Sequence, residues 1–288
     1  MADQRKPEWL KKRMNMAAVE EMETMLRSLS LNTVCEGANC PNRGECFQNK
    51  TATFMILGDT CTRDCRFCDV PCGPPPPIDP AEPKNLATAA AQLGLKHTVV
   101  TSVTRDDLQD GGAAHFAAVV RALKAKMPAS TVEVLIPDFQ GNKSALQTVI
   151  DARPEIINHN IETVPSRYSA VRPQASYTRS LALLARIKTM ATGIYSKTGL
   201  MVGLGETSEQ VLAVMDDLIA IGCDLLTIGQ YLRPSKEHIE ITEYITPAQF
   251  DEYKRIGMQK GFKHIASGPF VRSSYNAIEG MKVLESHI

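Results

Sequence analysis

The sequence predicts an α/β fold on a parallel sheet, closed wholly or partly into a barrel. Three observations carry this. After Pro83, short β-rich runs alternate with helical patterns at a regular beat, the mark of successive β/α units. Six or more such units fall within about 220 residues, which suits one barrel better than two separate domains. The 288-residue chain is 43% hydrophobic, enough for a large core. Periodicity does not give strand order, so an open doubly wound sheet also remains compatible with the pattern.

Residues 1 to 52 stand outside the beat, as a helix-forming arm followed by the irregular stretch "CEGANCPNRGECF". Strands are expected at 53–58, 97–102, 131–136, 155–160, 197–204, 224–229 and 263–267, in runs such as "HTVVTS" and "TVEVLI" rich in β-branched residues. Helices are expected around 86–93, 112–126, 143–151, 178–190, 207–221 and 247–259. Asn142, Thr207 and the pair Thr246-Pro247 supply start signals for the third, fifth and sixth of these. "CGPPPPIDPAEP" reads as a stiff extended connector, because successive prolines fix φ. No internal repeat is present.

Lys+Arg and Asp+Glu both number 32, so the chain shows no net electrostatic footprint for nucleic acid or an anionic membrane. No apolar run approaches the roughly 18 residues of a membrane span, and the N-terminus lacks the apolar centre of a signal peptide. Arg5, Lys6, Lys11, Lys12 and Arg13 hint at an organelle transit peptide, but Asp3, Glu8, Glu20, Glu21 and Glu23 break its acid-poor rule. A soluble cytoplasmic protein is expected. In a reducing cytoplasm, clustered cysteines are metal ligands or catalytic groups more often than disulfides. Seven of the eight cysteines lie between Cys35 and Cys72, while Cys223 in "AIGCDLLTIG" reads as a small buried hydrophobe.

Cys61, Cys65 and Cys68 follow the first expected strand, on a loop at the C-terminal mouth of a barrel, where barrel enzymes keep their chemistry. Three thiolates can hold three irons of a 4Fe–4S cluster and leave the fourth iron open to substrate. Structural zinc is the rival, with Cys72 as a fourth ligand. A simple electron-transfer cluster is another. Cys35, Cys40 and Cys46 form a second set, in a segment whose glycines and proline allow it to curl.

The first set, with Phe67 just before its last cysteine, resembles the radical S-adenosylmethionine superfamily. Both sets together, in this order, resemble the lipoyl synthase family within it. So do "KPEWLK", "TSVTRDDLQDGGAAHF", "NHNIETV", "VRPQASY", "KTGLMVGLGE", "TIGQYLRPS" and "GPFVRSSYNA", which between them span nearly the whole chain. The resemblance implies a partial six-fold β/α barrel of the TIM type over residues 53–268. An N-terminal extension (1–52) and a C-terminal one (269–288) then carry an auxiliary 4Fe–4S cluster. Its ligands would be Cys35, Cys40, Cys46 and a serine of "RSSY", Ser273 ahead of Ser274. No catalytic side chain beyond the cluster ligands is implied.

S-adenosyl-L-methionine contacts are implied at Phe67, at Asp110, Gly111 and Gly112, at Asn160, Glu162 and Arg172, and at Gly203 and Gly205. Without the resemblance, "DGG" is equally well an ordinary strand-to-helix turn. Asn158 and His159 share the expected strand end, where polar residues either act or satisfy backbone groups. His97, His115, His238 and His264 show no usable spacing and read as structural.

The implied activity is that of a sulfurtransferase that places sulfur at C6 and C8 of an octanoyl-lysine. Two S-adenosyl-L-methionine molecules are spent per product, and the sulfur comes from the auxiliary cluster. Implied partners are octanoylated lipoyl carrier domains (E2 subunits and the glycine cleavage H protein), a low-potential electron donor such as ferredoxin or flavodoxin, and an iron–sulfur carrier that rebuilds the cluster. A monomer is expected. Alternatives are a biotin-synthase-like or methylthiotransferase-like enzyme, and a non-catalytic iron–sulfur or zinc carrier.

Overall fold

The computed structural model describes residues 6–11, 15–49 and 51–285, so Arg5, Lys12 and Arg13 of the basic N-terminal stretch lie outside the described residues. "KPEWLK" forms a 3-10 turn, Glu8–Leu10, that buries Leu10 and leaves Trp9 exposed. Helix α1 (Met16–Ser28) follows, burying Val19, Met22 and Leu26 on one stripe. The cysteine stretch read as irregular is in fact structured. Strand β1 (Asn32–Thr33) leads into α2 (Val34–Gly37), capped by the Thr33 side chain, and then α3 (Arg43–Gln48).

The β/α beat begins with β2 (Thr53–Ile56) and α4 (Glu82–Leu93), then β3 (His97–Ser102) and α5 (Ala113–Lys126), then β4 (Thr131–Leu135) and α6 (Lys143–Asp151). It continues with β5 (Ile156–Asn158), short α7 (Tyr168–Val171) and α8 (Tyr177–Met190), β6 (Tyr195–Val202) and α9 (Ser208–Ala220), and β7 (Leu225–Gln230) and α10 (Pro247–Lys260). Strand β8 (His264–Gly268) and helix α11 (Ala277–Glu285) end the described chain. The expected caps form: Asn142 accepts from the Ser144 and Ala145 amides, Thr207 closes a capping box with Gln210, and Thr246 accepts from the Gln249 amide.

Among the described residues the sheet has eight strands in chain order, with β1 antiparallel to β2 and every later pair parallel. That order excludes a doubly wound sheet, in which the strand order would reverse. β8 does not pair with β1 or β2, so the barrel is partial, with a seam between its first and last strands.

Alternation along the strands divides the side chains. Val100, Val132, Val134, Ile157, Val202, Leu226, Ile228 and Ile265 pack outward with the helix residues Phe116, Val120, Leu146, Leu184 and Val214. Inside, α11 closes the lower end, where Met281 and Leu284 pack on Ile156 and Leu225.

Just above this plug lies a charged layer. Glu133 is fully buried and takes Lys197 Nζ on both carboxylate oxygens, at 2.8 and 2.9 Å, and Asn158 Nδ2 at 3.0 Å. His97 Nε2 lies 3.4 Å from the same carboxylate. Burial alone would raise the Glu133 pKa, but the charge of Lys197 and the contact with His97 overcome it and hold the group at about 2. Lys197→Met is therefore expected to cost about 3–5 kcal/mol of unfolding free energy in urea, because Glu133 loses its counter-ion. Adding Glu133→Leu should recover most of that loss.

Candidate metal centres and cofactor site

The loop after β2 is tied off at its base. Cys61 pairs with Cys72 in an isolated bridge, through Cys61 N–H to Pro71 O (2.8 Å) and Gly73 N–H to Cys61 O (3.0 Å). Cys72 is exposed beside the set. Within the loop, the Cys68 amide bonds Cys65 O at 2.9 Å, a tight turn that brings these cysteines together. Cys61 Sγ accepts the Arg63 and Thr104 amides at 3.4 and 3.3 Å.

Arg63 clamps the loop to its neighbours. Its buried guanidinium makes two bonds to Asp106, at 2.6 and 2.9 Å, and one to Asp138 at 2.7 Å. Arg179 pairs with the other Asp138 oxygen at 2.9 Å. Sequence reading missed this clamp, because its partners follow different strands.

Phe67 packs in an apolar cluster at the mouth with Val171, Met201, Leu204, Tyr231 and Ile239. Leu204 lies between Gly203 and Gly205, and a Cβ on these glycines would meet Gln230 Nε2 at 2.2 Å and Arg167 Nη2 at 1.8 Å. The glycines turn tightly at φ +97° and +94°, and Glu206 accepts the Gly203 and Leu204 amides at 2.5 and 2.9 Å.

Glu162 also has a left-handed φ, +66°, and accepts from Asn160 Nδ2 at 2.9 Å. Burial raises its pKa, against the pull of Arg172. Arg172 Nη1 donates to Asn160 O at 2.8 Å, yet its Nε is buried without a hydrogen-bond partner among the described residues, as is Asn160 Oδ1. A free guanidinium donor and a free amide acceptor at one mouth suit a ligand bearing carboxylate and ammonium groups.

"DGG" does not join them. Asp110 accepts the Gly112 and Ala114 amides at 2.9 and 2.8 Å and so opens α5. A Cβ on Gly111 would fall 2.8 Å from Phe139 Cδ1, and one on Gly112 would fall 2.3 Å from Leu57 Cδ1. The close approach these glycines allow is to core side chains. His159 is likewise structural, with Nδ1–H donated to Ile136 O and Nε2 bonded to Ser180, both at 2.9 Å. His115 and His238 serve Glu82 and Cys68 O in the same supporting way.

The second set lies at the seam. Cys35, Cys40 and Cys46 line a hollow of about 290 Å³, counted to its open rim, together with Thr53, Arg272, Ser274 and Tyr275. Three hydrogen bonds fasten the C-terminal segment across the seam: Asn42 Nδ2 to Phe270 O at 2.7 Å, Thr53 Oγ1 to Ser274 Oγ at 2.7 Å, and Tyr275 OH to Glu45 at 3.0 Å.

Ser273, the first choice from sequence, does not line the hollow, whereas Ser274 does. Both serines lie in the turn that leads into α11, and the bond from Thr53 holds the Ser274 hydroxyl toward the hollow. Spacing carried no signal for Thr53 or Arg272.

Burial pushes the thiols of Cys35 and Cys68 up to about 12 and that of Cys65 to about 11, so binding of iron must release their protons. Among the described residues, no three Cys, His, Asp or Glu side chains gather closely enough to ligate a single metal ion.

The radical SAM superfamily model matches residues 55–218, from β2 to α9. The lipoyl synthase of Caldanaerobacter subterraneus subsp. tengcongensis is 59% identical over 97% of this chain and 98% of its own length. That of Alkaliphilus metalliredigens is 54% identical over 96% of each chain. The chain belongs to the lipoyl synthase family.

Among solved structures, methylornithine synthase (PylB) superposes with a TM-score of 0.58 at 13% identity, covering 92% of this chain and 78% of its own. Streptococcus suis SuiB bound to S-adenosylmethionine gives 0.58 at 13% identity, over 87% and 60%. At such identities they establish the barrel alone. Superfamily membership brings one 4Fe–4S cluster and S-adenosylmethionine to this lipoyl synthase family chain, and lipoyl carriers are the substrates the family implies. No described helix is long and apolar enough to cross a membrane.

Proposed function

We propose that the chain inserts two sulfur atoms, at C6 and C8, into an octanoyl group held in amide linkage to a lysine of a lipoyl carrier domain. One observation carries the reading: two separate three-cysteine sets open on one barrel, one at its mouth and one at its seam, and Ser274 lines the second beside its cysteines. Bound groups at these sites would supply hydrogen abstraction from unactivated C–H bonds and a source of sulfide, chemistry no side chain offers.

The protein's own residues do the positioning. Cys61, Cys65 and Cys68 hold the mouth cluster with one iron open, on a loop that Arg63 keeps in place. Arg172 and Asn160 orient the carboxylate and ammonium ends of S-adenosylmethionine, beside Glu162. Phe67 and Leu204 supply an apolar wall next to Gly203 and Gly205. Cys35, Cys40, Cys46 and Ser274 hold the auxiliary cluster. Ferredoxin or flavodoxin as electron donor, an iron–sulfur carrier for rebuilding, and work in the cytoplasm as a monomer complete the reading.

Anaerobically prepared protein should carry about eight irons and eight sulfides per chain, as two cubanes require. Incubation with an octanoyl-lysine peptide, S-adenosylmethionine and a strong reductant should yield a product with two added sulfurs and two fewer hydrogens by mass spectrometry. Stoichiometric zinc with little iron, or a methylthiolated product, would refute the assignment.

A further inference from the structure

The charged layer inside the barrel has no part in holding either cluster or S-adenosylmethionine. Replacing such a pair by apolar residues is commonly neutral or stabilising, so stability alone does not account for it. Its position is telling. Lys197 lies two residues below Gly199 on the same face of β6, and a Cβ on Gly199 would fall 2.7 Å from Asn160 Oδ1 and 3.0 Å from Thr227 Oγ1. Asn158, which donates to Glu133, ends β5 two residues before Asn160.

On the other side, Lys197 shares a small cavity with Thr227, His264 and Tyr275, and Tyr275 also lines the cysteine hollow. The layer thus lies directly beneath the space between Asn160 and the auxiliary cradle, with α11 beneath it in turn. Asn158 Oδ1, in this layer, is buried and without a hydrogen-bond partner among the described residues.

We propose that Glu133, Lys197 and Asn158 form the floor of the acyl chamber and set the length of chain that is accepted. The proposal rests on the octanoyl-lysine reading. The carrier domain is folded and stays outside, so the acyl chain enters methyl end first and C8, its last carbon, lies deepest. A methyl group can rest on this layer but cannot pass it, because passage would break a buried ion pair and strand both charges. A chain two carbons longer either fails to seat or holds the wrong carbons at the reacting level.

The test is equilibrium binding of octanoyl-, decanoyl- and dodecanoyl-lysine peptides to the reconstituted protein without reductant, alongside product analysis with reductant. Wild-type protein is expected to bind the decanoyl peptide at least tenfold more weakly than the octanoyl one. Glu133→Gln with Lys197→Ala removes both charges together with Cγ, Cδ, Cε and Nζ of the lysine, opening the floor into the cavity below. The octanoyl preference should then fall by about fifteenfold, the worth of two buried methylenes.

Asn158→Ala, a smaller opening that leaves the ion pair in place, should shift the preference the same way by a smaller factor, and it decides the matter if the double variant does not fold. An unchanged preference in the folded variants overturns the floor, as does wild-type protein that binds both peptides equally. Wild-type protein that neither binds nor dithiolates the octanoyl peptide overturns the substrate reading itself, and the floor with it.

Discussion

Cys65→Ala is expected to reduce 5′-deoxyadenosine formation to background, whereas Cys40→Ala should keep cleaving S-adenosylmethionine while inserting no sulfur. The two cysteines sit in different surroundings. Cys65 stands in the mouth loop beside Arg172 and Glu162, whose charges act on its thiol. Cys40 stands in the seam hollow with Cys35 and Cys46. Beside the mouth set, Arg172 Nε is buried without a hydrogen-bond partner among the described residues, a donor with which to seat a carboxylate. Loss of one thiolate there should remove the open-iron site, while loss at the seam leaves that site whole. Chromatographic assay of 5′-deoxyadenosine and mass spectrometry of the peptide read the two outcomes separately. A Cys40→Ala protein that made doubly sulfurated product at the normal rate would show that the seam set is not the sulfur source.

Ser274→Ala should abolish double sulfuration and speed iron loss from the auxiliary cluster by about tenfold or more, since removing even an outer partner of a metal ligand costs about 10–100-fold. Ser273→Ala should leave both nearly unchanged. The contrast follows from the hollow, which Ser274 lines and Ser273 does not, and from the 2.7 Å bond between Thr53 and Ser274 that holds the hydroxyl oxygen inward. A serine oxygen is a harder donor than thiolate for an iron that prefers sulfur, so the corner it holds is the one most readily released. Ser274→Cys is accordingly expected to bind both clusters and cleave S-adenosylmethionine, yet to give less doubly sulfurated product. Iron content, 5′-deoxyadenosine and peptide mass are the measurements. Loss of product in Ser273→Ala with none in Ser274→Ala would reverse the assignment.

The sequence by itself determined the repeated β/α units, most of their bounds and the helix caps at Asn142, Thr207 and Thr246, because periodicity and capping are local properties. It also determined the two cysteine sets and their family resemblance, since each set lies within a few residues of chain. Only the tertiary structure decided the strand order, the open seam, and the pairing of residues distant in sequence. Ser274 meets Thr53 across that seam, Arg63 meets Asp138 from another strand's loop, and Lys197 meets Glu133 inside the barrel. The same holds for what Gly111 and Gly112 approach through their missing side chains, namely Phe139 and Leu57. Which of two neighbouring serines lines the hollow depends on how the turn before α11 is seated. That seating is held by a contact more than two hundred residues away in sequence, beyond the reach of any local pattern.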